Sequence, residues 1–195
     1  MARNRASRPG AKPLRLFVAI DVPEEVRSLI SDAASPLRER FPKGRWVPEE
    51  NWHVTLKFLG ATWPRLVEWV SSEVGEAASG AGSFRTRVEG LGAFPSAWRA
   101  RVLWAGLEDP GGAMARLAET LDEALAREFA PEKRAFTAHL TVARFDPAVE
   151  LGEDVGAARL RSEPFAVDRL VLYRSHLRRP APVYEPVARF PLGAG

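Results

Sequence analysis

Residues 52–59 are WHVTLKFL, and residues 138–145 are AHLTVARF. Both are short apolar stretches of the kind that forms buried strands, and both contain the tripeptide His-x-Thr. The chain has only 3 histidines, and two of them, His53 and His139, occupy this frame. The pattern predicts two equivalent strands that lie side by side, each contributed by one half of the chain.

The two motifs each present an imidazole and a hydroxyl together, because residues i and i+2 of a strand point to the same face. The intervening Val54 and Leu140 then point towards the core. If the strands are neighbours, four polar side chains line one surface, namely those of His53, Thr55, His139 and Thr141. Period-two counting also places Lys57 on this face, where it could reach a phosphate as a point charge.

Arg144 is a second candidate cation beside the motifs. It follows Thr141 by three positions, so it faces away from the histidines in a regular strand. We expect it to join the site only if the strand ends or twists nearby, at Asp146-Pro147.

Two imidazoles can divide acid–base work near neutral pH, because the ordinary pKa of histidine is about 6.5. One can take a proton from a nucleophile while the other protonates a leaving oxygen. In-line displacement at phosphorus uses this arrangement, and the threonine hydroxyls can donate to the non-bridging oxygens. A metal site is the competing use of two histidines, but zinc usually takes at least three protein ligands and hard cations favour carboxylates. The motifs are flanked by threonines and cations instead, which disfavours a metal.

Hydrophobic periodicity around the motifs predicts an α+β fold, because strands alternate with three helices. The predicted strands are residues 14–22, 52–59, 83–91, 100–107 and 136–144, followed by PFAVDRLVLYRS and YEPVARFPL, and the predicted helices follow Pro23 and span residues 62–78 and 110–128. Trp46, Phe94 and Trp98 lie in predicted loops, where an aromatic ring could stack on a base, although core packing is favoured for each.

The composition is that of a globular protein, with 46% hydrophobic and 27% charged residues in a chain of 195. Cysteine is absent, which excludes disulfides and thiolate metal sites and favours a cytoplasmic location. No apolar run reaches the ~20 residues of a membrane helix, so we expect no membrane association. Residues 1–13 are predicted to be a flexible basic tail, and residues 14–195 a single catalytic domain.

The paired motifs, with KFLG after the first and AR after the second, resemble those of the two-histidine phosphoesterases. Within that superfamily the similarity is to the RNA 2′,3′-cyclic phosphodiesterases, also called 2′-5′ RNA ligases. It extends from LRLFVAIDVP through RVLWAGL to YEPVARFPL, although Ala138 stands where the family often has proline. The resemblance implies a bilobal α+β fold, in which two pseudo-symmetric antiparallel-sheet lobes with outer helices enclose a central cleft.

The resemblance also implies the activity, which is the opening of a terminal 2′,3′-cyclic phosphate of RNA to a 2′-phosphate without a metal or another cofactor. Some family members also make a 2′-5′ linkage without ATP. By similarity, His53 is the general acid and His139 the general base, while Thr55, Thr141 and Arg144 hold the phosphate. We expect a monomer. Two alternatives stay open, a cyclic phosphodiesterase for small nucleotides and a non-catalytic RNA-end binder.

Overall fold

The computed structural model describes residues 11–193, and within this range ten strands and four helices form the predicted α+β fold. The strands are β1 (Leu14–Asp21), β2 (Arg45–Trp46), β3 (His53–Thr62), β4 (Phe84–Thr86), β5 (Val88–Phe94), β6 (Ala100–Leu107), β7 (His139–Val149), β8 (Phe165–Val167), β9 (Arg169–His176) and β10 (Val183–Pro191), and the helices are α1 (Glu24–Arg40), α2 (Val67–Ser79), α3 (Ala113–Ala124) and α4 (Asp154–Ala157). The predicted tail lies mostly outside the described residues.

One antiparallel sheet has the strand order β10-β9-β1-β3-β7-β6-β5, with β2 also paired to β7. Its two central strands carry the His-x-Thr motifs, as the sequence predicts. They pair with each other through Val54 and Leu140 alone, and both of these side chains are completely buried. Because pairing is confined to this point, the sheet consists of two halves that meet at the motifs, which confirms the bilobal prediction.

Two of the helices, α2 and α3, pack against the sheet and against each other. The helix α2 packs against β9 and β10, and α3 packs against β3 and α2. The segment that follows α1 packs against the half of the sheet that contains β7. There the ring centroids of Phe41 and Phe145 lie 5.9 Å apart. None of the helices between residues 11 and 193 has the length and apolar character that a membrane span requires.

The predicted strand at residues 83–91 is two strands that belong to different sheets. The first, β4, pairs with β8, whereas β5 pairs with β6 and continues to Phe94, opposite Val102. The Gly-Ala-Phe-Pro segment indicated an earlier end, but cross-strand pairing with β6 keeps it extended. This extension brings Phe94 towards the second motif.

A bulge in β3 changes which side chains face the histidines. Val18 of β1 pairs with Lys57, and the next residue, Ala19, pairs with Thr55, so Leu56 is an extra residue. A bulge of this kind interrupts the alternation of faces. Leu56 and Lys57 are therefore both buried, and Phe58 returns to the face of Thr55.

The strand β7 contains an equivalent bulge. Leu103 of β6 pairs with Ala143, and Trp104 pairs with Thr141, so Val142 is the extra residue. Val142 and Ala143 are buried, and Arg144 returns to the exposed face. The prediction that Arg144 joins the site where the strand ends or twists was wrong about a strand end at Asp146-Pro147, because β7 continues to Val149. The bulge at Val142 twists the strand before that point and turns the side chain.

Candidate active site

The two motifs form the floor of a cleft. The strands β3 and β7 run antiparallel through the Val54–Leu140 pair. Along the strand direction, His53 and Thr141 therefore lie at one end of this pair, and Thr55 and His139 lie at the other end. The cleft has two connected branches of about 610 and 830 Å³. The residues that line both branches are Thr55, Phe58, His139, Thr141 and Arg144, and His53 lines the smaller branch.

Both imidazoles are oriented by a backbone carbonyl two residues earlier in the chain. The Nδ1 atom of His53 lies 2.7 Å from the carbonyl oxygen of Asn51, and that of His139 lies 2.7 Å from the carbonyl oxygen of Thr137. A carbonyl oxygen only accepts hydrogen bonds, so Nδ1 carries the hydrogen in each ring. In the neutral rings Nε2 therefore has the free lone pair, and the Thr55 hydroxyl donates to that of His53 over 3.0 Å.

Aromatic rings hold the two histidines from the side. Phe17 stacks on His53 with centroids 4.7 Å apart, and Tyr184 contacts the same ring edge-on at 5.2 Å. Phe94 contacts His139 edge-on at 5.2 Å. Trp46, Phe94 and Trp98 are the predicted candidates for base stacking, and of these only Phe94 lines the cleft. The Nε1 atom of Trp46 instead donates to the Phe41 carbonyl.

Burial lowers the pKa of His53 below its usual value, and the hydrogen bond to Asn51 and the negative charge of Asp21 offset this only in part. Asp21 is the neighbour of His53 on β1 and accepts a hydrogen bond of 2.7 Å from the hydroxyl of Tyr173. Burial and this bond raise the pKa of Tyr173, so its phenol stays protonated. Because burial lowers its pKa, His53 is uncharged in the free protein at neutral pH.

The lowered pKa of His53 predicts a pH-dependent stability. Below about pH 6.5 the unfolded chain protonates this residue while the folded protein resists it, so folding stability is complete above that pH and falls below it. The loss per unit of pH is at most about 1.4 kcal/mol. Urea unfolding at about pH 7.5 and about pH 5.5 measures it, and we expect a smaller loss in His53→Asn. An equal loss in both proteins would contradict the assignment.

Two arginines lie next to each other on neighbouring strands beside the motifs. Arg45 of β2 is the direct cross-strand partner of Arg144 of β7, and both line the smaller branch of the cleft. Like charges in this relation repel each other unless an anion lies between them. Within residues 11–193 neither has a carboxylate at ion-pair distance. The pair is therefore suited to an anionic ligand.

Arg15 adds a third positive charge to this branch. Its guanidinium lies over the ring of Phe58, 4.5 Å from the centroid. The sequence did not indicate Arg15 and Phe17, because the apolar run at residues 14–22 is typical of a buried strand. It did not indicate Arg45, because β2 has only two residues and therefore no periodic pattern. The alternation of Arg15 and Phe17 was the available signal, but it could not be used without knowing which face of β1 meets the cleft.

The prediction that Lys57 lies on the face of the histidines, within reach of a phosphate, was wrong. The bulge at Leu56 turns Lys57 towards α3, where only 1% of it is exposed. Its Nζ atom forms an ion pair with Asp122 and donates to the carbonyl oxygen of Ala130 over 2.8 Å. The structure thus brings together His53, Thr55, His139, Thr141 and Arg144, and it separates Lys57 from them.

Comparison with known proteins supports the assignment of this cleft. Residues 20–104 and 106–184 match the family model described as LigT like Phosphoesterase. The RNA 2′,3′-cyclic phosphodiesterase of Thermotoga maritima is 32% identical over 88% of this chain and 92% of its own length. A protein of the same name from Geobacillus stearothermophilus is 28% identical over 90% of this chain, which spans 56% of that protein's length.

A solved structure agrees with the sequence comparisons. The crystal structure of E. coli LigT complexed with 3′-AMP matches 92% of this chain and 98% of its own, at 29% identity and a TM-score of 0.73. The match to the family model covers both halves of the sheet and both His-x-Thr motifs. The chain therefore belongs to the LigT-like phosphoesterase family.

Proposed function

We propose that the protein hydrolyses the 2′,3′-cyclic phosphate at the end of an RNA and leaves a 2′-phosphate. One observation carries the proposal, namely that two imidazoles with hydrogen-bonded Nδ1 atoms converge on one cleft beside two threonines and an arginine. The names of the relatives from Thermotoga maritima and Geobacillus stearothermophilus support the same activity.

The proposed reaction is a direct displacement by water. The Nε2 atom of His139 takes a proton from water as the water oxygen bonds to phosphorus, the bond from phosphorus to O3′ breaks, and His53 gives a proton to O3′. Thr55, Thr141 and Arg144 stabilise the charge that accumulates on the non-bridging oxygens. Afterwards His139 is protonated and His53 is neutral, and exchange with solvent restores both.

His53 needs a proton in order to act as the acid, although burial keeps it neutral in the free protein. An anionic phosphate beside the ring favours the charged imidazolium. Binding of the substrate therefore raises the pKa of His53 and supplies the protonated form. His139, with its Nδ1 hydrogen bonded to Thr137, has its Nε2 lone pair available for water.

The charge of the two branches indicates the path of the RNA strand. Among the described residues that line the smaller branch there are three arginines and no carboxylate. In the larger branch three carboxylates balance three cations, and these residues are Glu119, Asp122, Glu132, Lys133, Arg134 and Arg144. A phosphate backbone favours the first surface. The larger branch then admits water, or a second nucleoside with a free 5′-hydroxyl in the reverse reaction, which would make a 2′-5′ linkage.

A short RNA with a 2′,3′-cyclic phosphate end tests the proposed function directly. In the presence of EDTA and without a nucleoside triphosphate, we expect complete conversion to the 2′-phosphate, resolved by chromatography against 2′- and 3′-phosphate standards. Because the three arginines of the smaller branch can bind further backbone phosphates, kcat/KM for the RNA should exceed that for a 2′,3′-cyclic mononucleotide. A preference for the mononucleotide would favour the small-nucleotide alternative, and tight binding without turnover would favour an RNA-end binder.

The proposed reacting groups all come from β3 and β7, so the proposed reaction requires no residue from a second copy of the chain. We therefore propose that the protein acts as a monomer. The expected cytoplasmic location remains part of the same proposal.

A further inference from the structure

Lys57 is a buried charged residue that the proposed reaction does not use. It is among the largest fully buried side chains, at 1% exposure. Its ammonium group has two partners, the carboxylate of Asp122 on α3 and the carbonyl oxygen of Ala130. Burial of a lysine opposes folding unless its partners compensate, so these contacts require an explanation.

The equivalent position in the other half of the sheet shows that strand geometry does not require a lysine. Lys57 follows the bulge of β3 as Ala143 follows the bulge of β7, and Ala143 is completely buried without a polar partner. An apolar residue therefore suffices at this point of a bulged strand. What differs is the surrounding chain, since only Lys57 lies beside the irregular segment that begins at Ala130.

Residues 130–138 contain neither helix nor strand, and they form a wall of the larger branch of the cleft. The segment is held at two places. At its beginning, Lys57 binds the Ala130 carbonyl, and both carboxylate oxygens of Asp122 accept from the Glu132 amide over 3.0 and 3.1 Å. At its end, the Ala138 carbonyl accepts from the amide of Leu107 over 3.0 Å.

Thr137, which orients His139, lies between these two attachments. The carbonyl that orients His53 belongs instead to Asn51, which is itself buried in a 3₁₀ turn, and its side chain bonds to the Pro182 carbonyl over 2.7 Å. The first histidine is thus oriented by a packed turn. The second depends on a segment that has no regular backbone pairing of its own between its attachments.

We infer that Lys57 and Asp122 position His139, because their ion pair anchors residues 130–132 and so keeps the Thr137 carbonyl where it accepts the Nδ1 hydrogen of His139. The inference rests on the proposed role of His139 in catalysis. Lys57 and Asp122 are positioning residues in this account, since neither donates to the reacting atoms.

The variants Lys57→Met and Asp122→Asn test the inference. Displacement of a reacting group by about 1 Å can cost about 100-fold in rate, so we expect kcat to fall about 10- to 100-fold with little change in KM. Nitrogen-15 NMR of the histidine rings supplies a second readout. In the wild type His139 should be the Nδ1-H tautomer, and in both variants it should become a mixture of tautomers.

A double variant, Lys57→Met with Asp122→Leu, separates positioning from stability. Replacing a buried ion pair by apolar residues often preserves or raises stability, so we expect its melting temperature to match or exceed those of the single variants. Its kcat should nevertheless stay low and its His139 tautomers mixed, because the bonds to Ala130 and Glu132 are lost. Wild-type kcat with an unchanged tautomer in the double variant would overturn the inference.

Ser162→Ala is a matched control for loss of a buried polar contact. Ser162 is 4% exposed and accepts from the Val88 amide over 3.0 Å, away from the cleft. This variant should lower the melting temperature without changing kcat or the His139 tautomer. If the wild type proves inactive on cyclic phosphates, the proposed function fails, whereas the tautomer measurement still decides whether the ion pair positions His139.

Discussion

Replacing His53 or His139 by alanine is expected to lower kcat on an RNA 2′,3′-cyclic phosphate by about 10²- to 10⁴-fold. Each variant removes one partner of the acid–base pair, while the threonines and Arg144 remain to bind the phosphate. Steady-state kinetics should therefore show a much larger change in kcat than in KM. Neither side chain belongs to the hydrophobic core cluster, so circular dichroism should show an intact fold.

His176→Ala is the matched control, because it removes the third histidine of the chain. His176 lies at the end of β9 and contacts Glu185 over 2.6 Å rather than lining the cleft. Its kcat should stay within about twofold of wild type, as for most surface substitutions. Retention of activity in His53→Ala or His139→Ala would contradict the two-histidine mechanism.

The same variants show which histidine is the acid when the bridging 3′ oxygen of the substrate is replaced by sulfur. A thiolate leaves without prior protonation, because the pKa of a thiol is only about 8.5. We expect the sulfur substrate to restore turnover in His53→Ala and not in His139→Ala. Rescue of His139→Ala instead would reverse the two roles, an outcome for which the lowered pKa of His53 gives a physical basis.

Arg144→Ala is expected to lower kcat by about 10²- to 10³-fold, the typical loss when one donor to a developing negative charge is removed. Arg144 lines both branches of the cleft and is the cross-strand neighbour of Arg45. Arg144→Lys keeps the charge but loses the planar fork of donors, so its kcat should lie between those of the wild type and the alanine variant.

Arg101→Ala is the control for Arg144, since it removes an exposed arginine of β6 that pairs with Asp146 outside the cleft. We expect no change in kcat. If Arg144→Ala alters only KM, then Arg144 binds substrate and transition state equally, and its proposed role in stabilising the developing charge is wrong.

The sequence predicted the pairing of the motifs because strand periodicity and neighbouring strands are sufficient to place His53, Thr55, His139 and Thr141 on one face. It predicted Lys57 wrongly and Arg144 for the wrong reason, and both errors have one cause. A single extra residue in each strand reverses the faces beyond it, and neither LKF nor VAR contains a glycine or proline that signals a bulge.

Other parts of the site depend on tertiary contacts that local patterns do not contain. Phe17 and Tyr184 meet at His53 although they come from opposite ends of the chain. The short strand β2, which places Arg45 beside Arg144, has only two residues. The strand β5 continues to Phe94 because β6 pairs with it. The residues just before Phe94 are typical of a turn, so they do not predict this extension.

A crystal structure with a nucleotide 2′-phosphate bound would show whether both histidines act on one phosphate. We expect the phosphate to lie over the Val54–Leu140 pair, with the Nε2 atoms of His53 and His139 on opposite sides of phosphorus. Each should lie about 2.6–3.2 Å from a different phosphate or attacking oxygen, with Thr55, Thr141 and Arg144 on the others. A phosphate bound elsewhere in the cleft, or contacted by only one of the two histidines, would contradict the proposed mechanism.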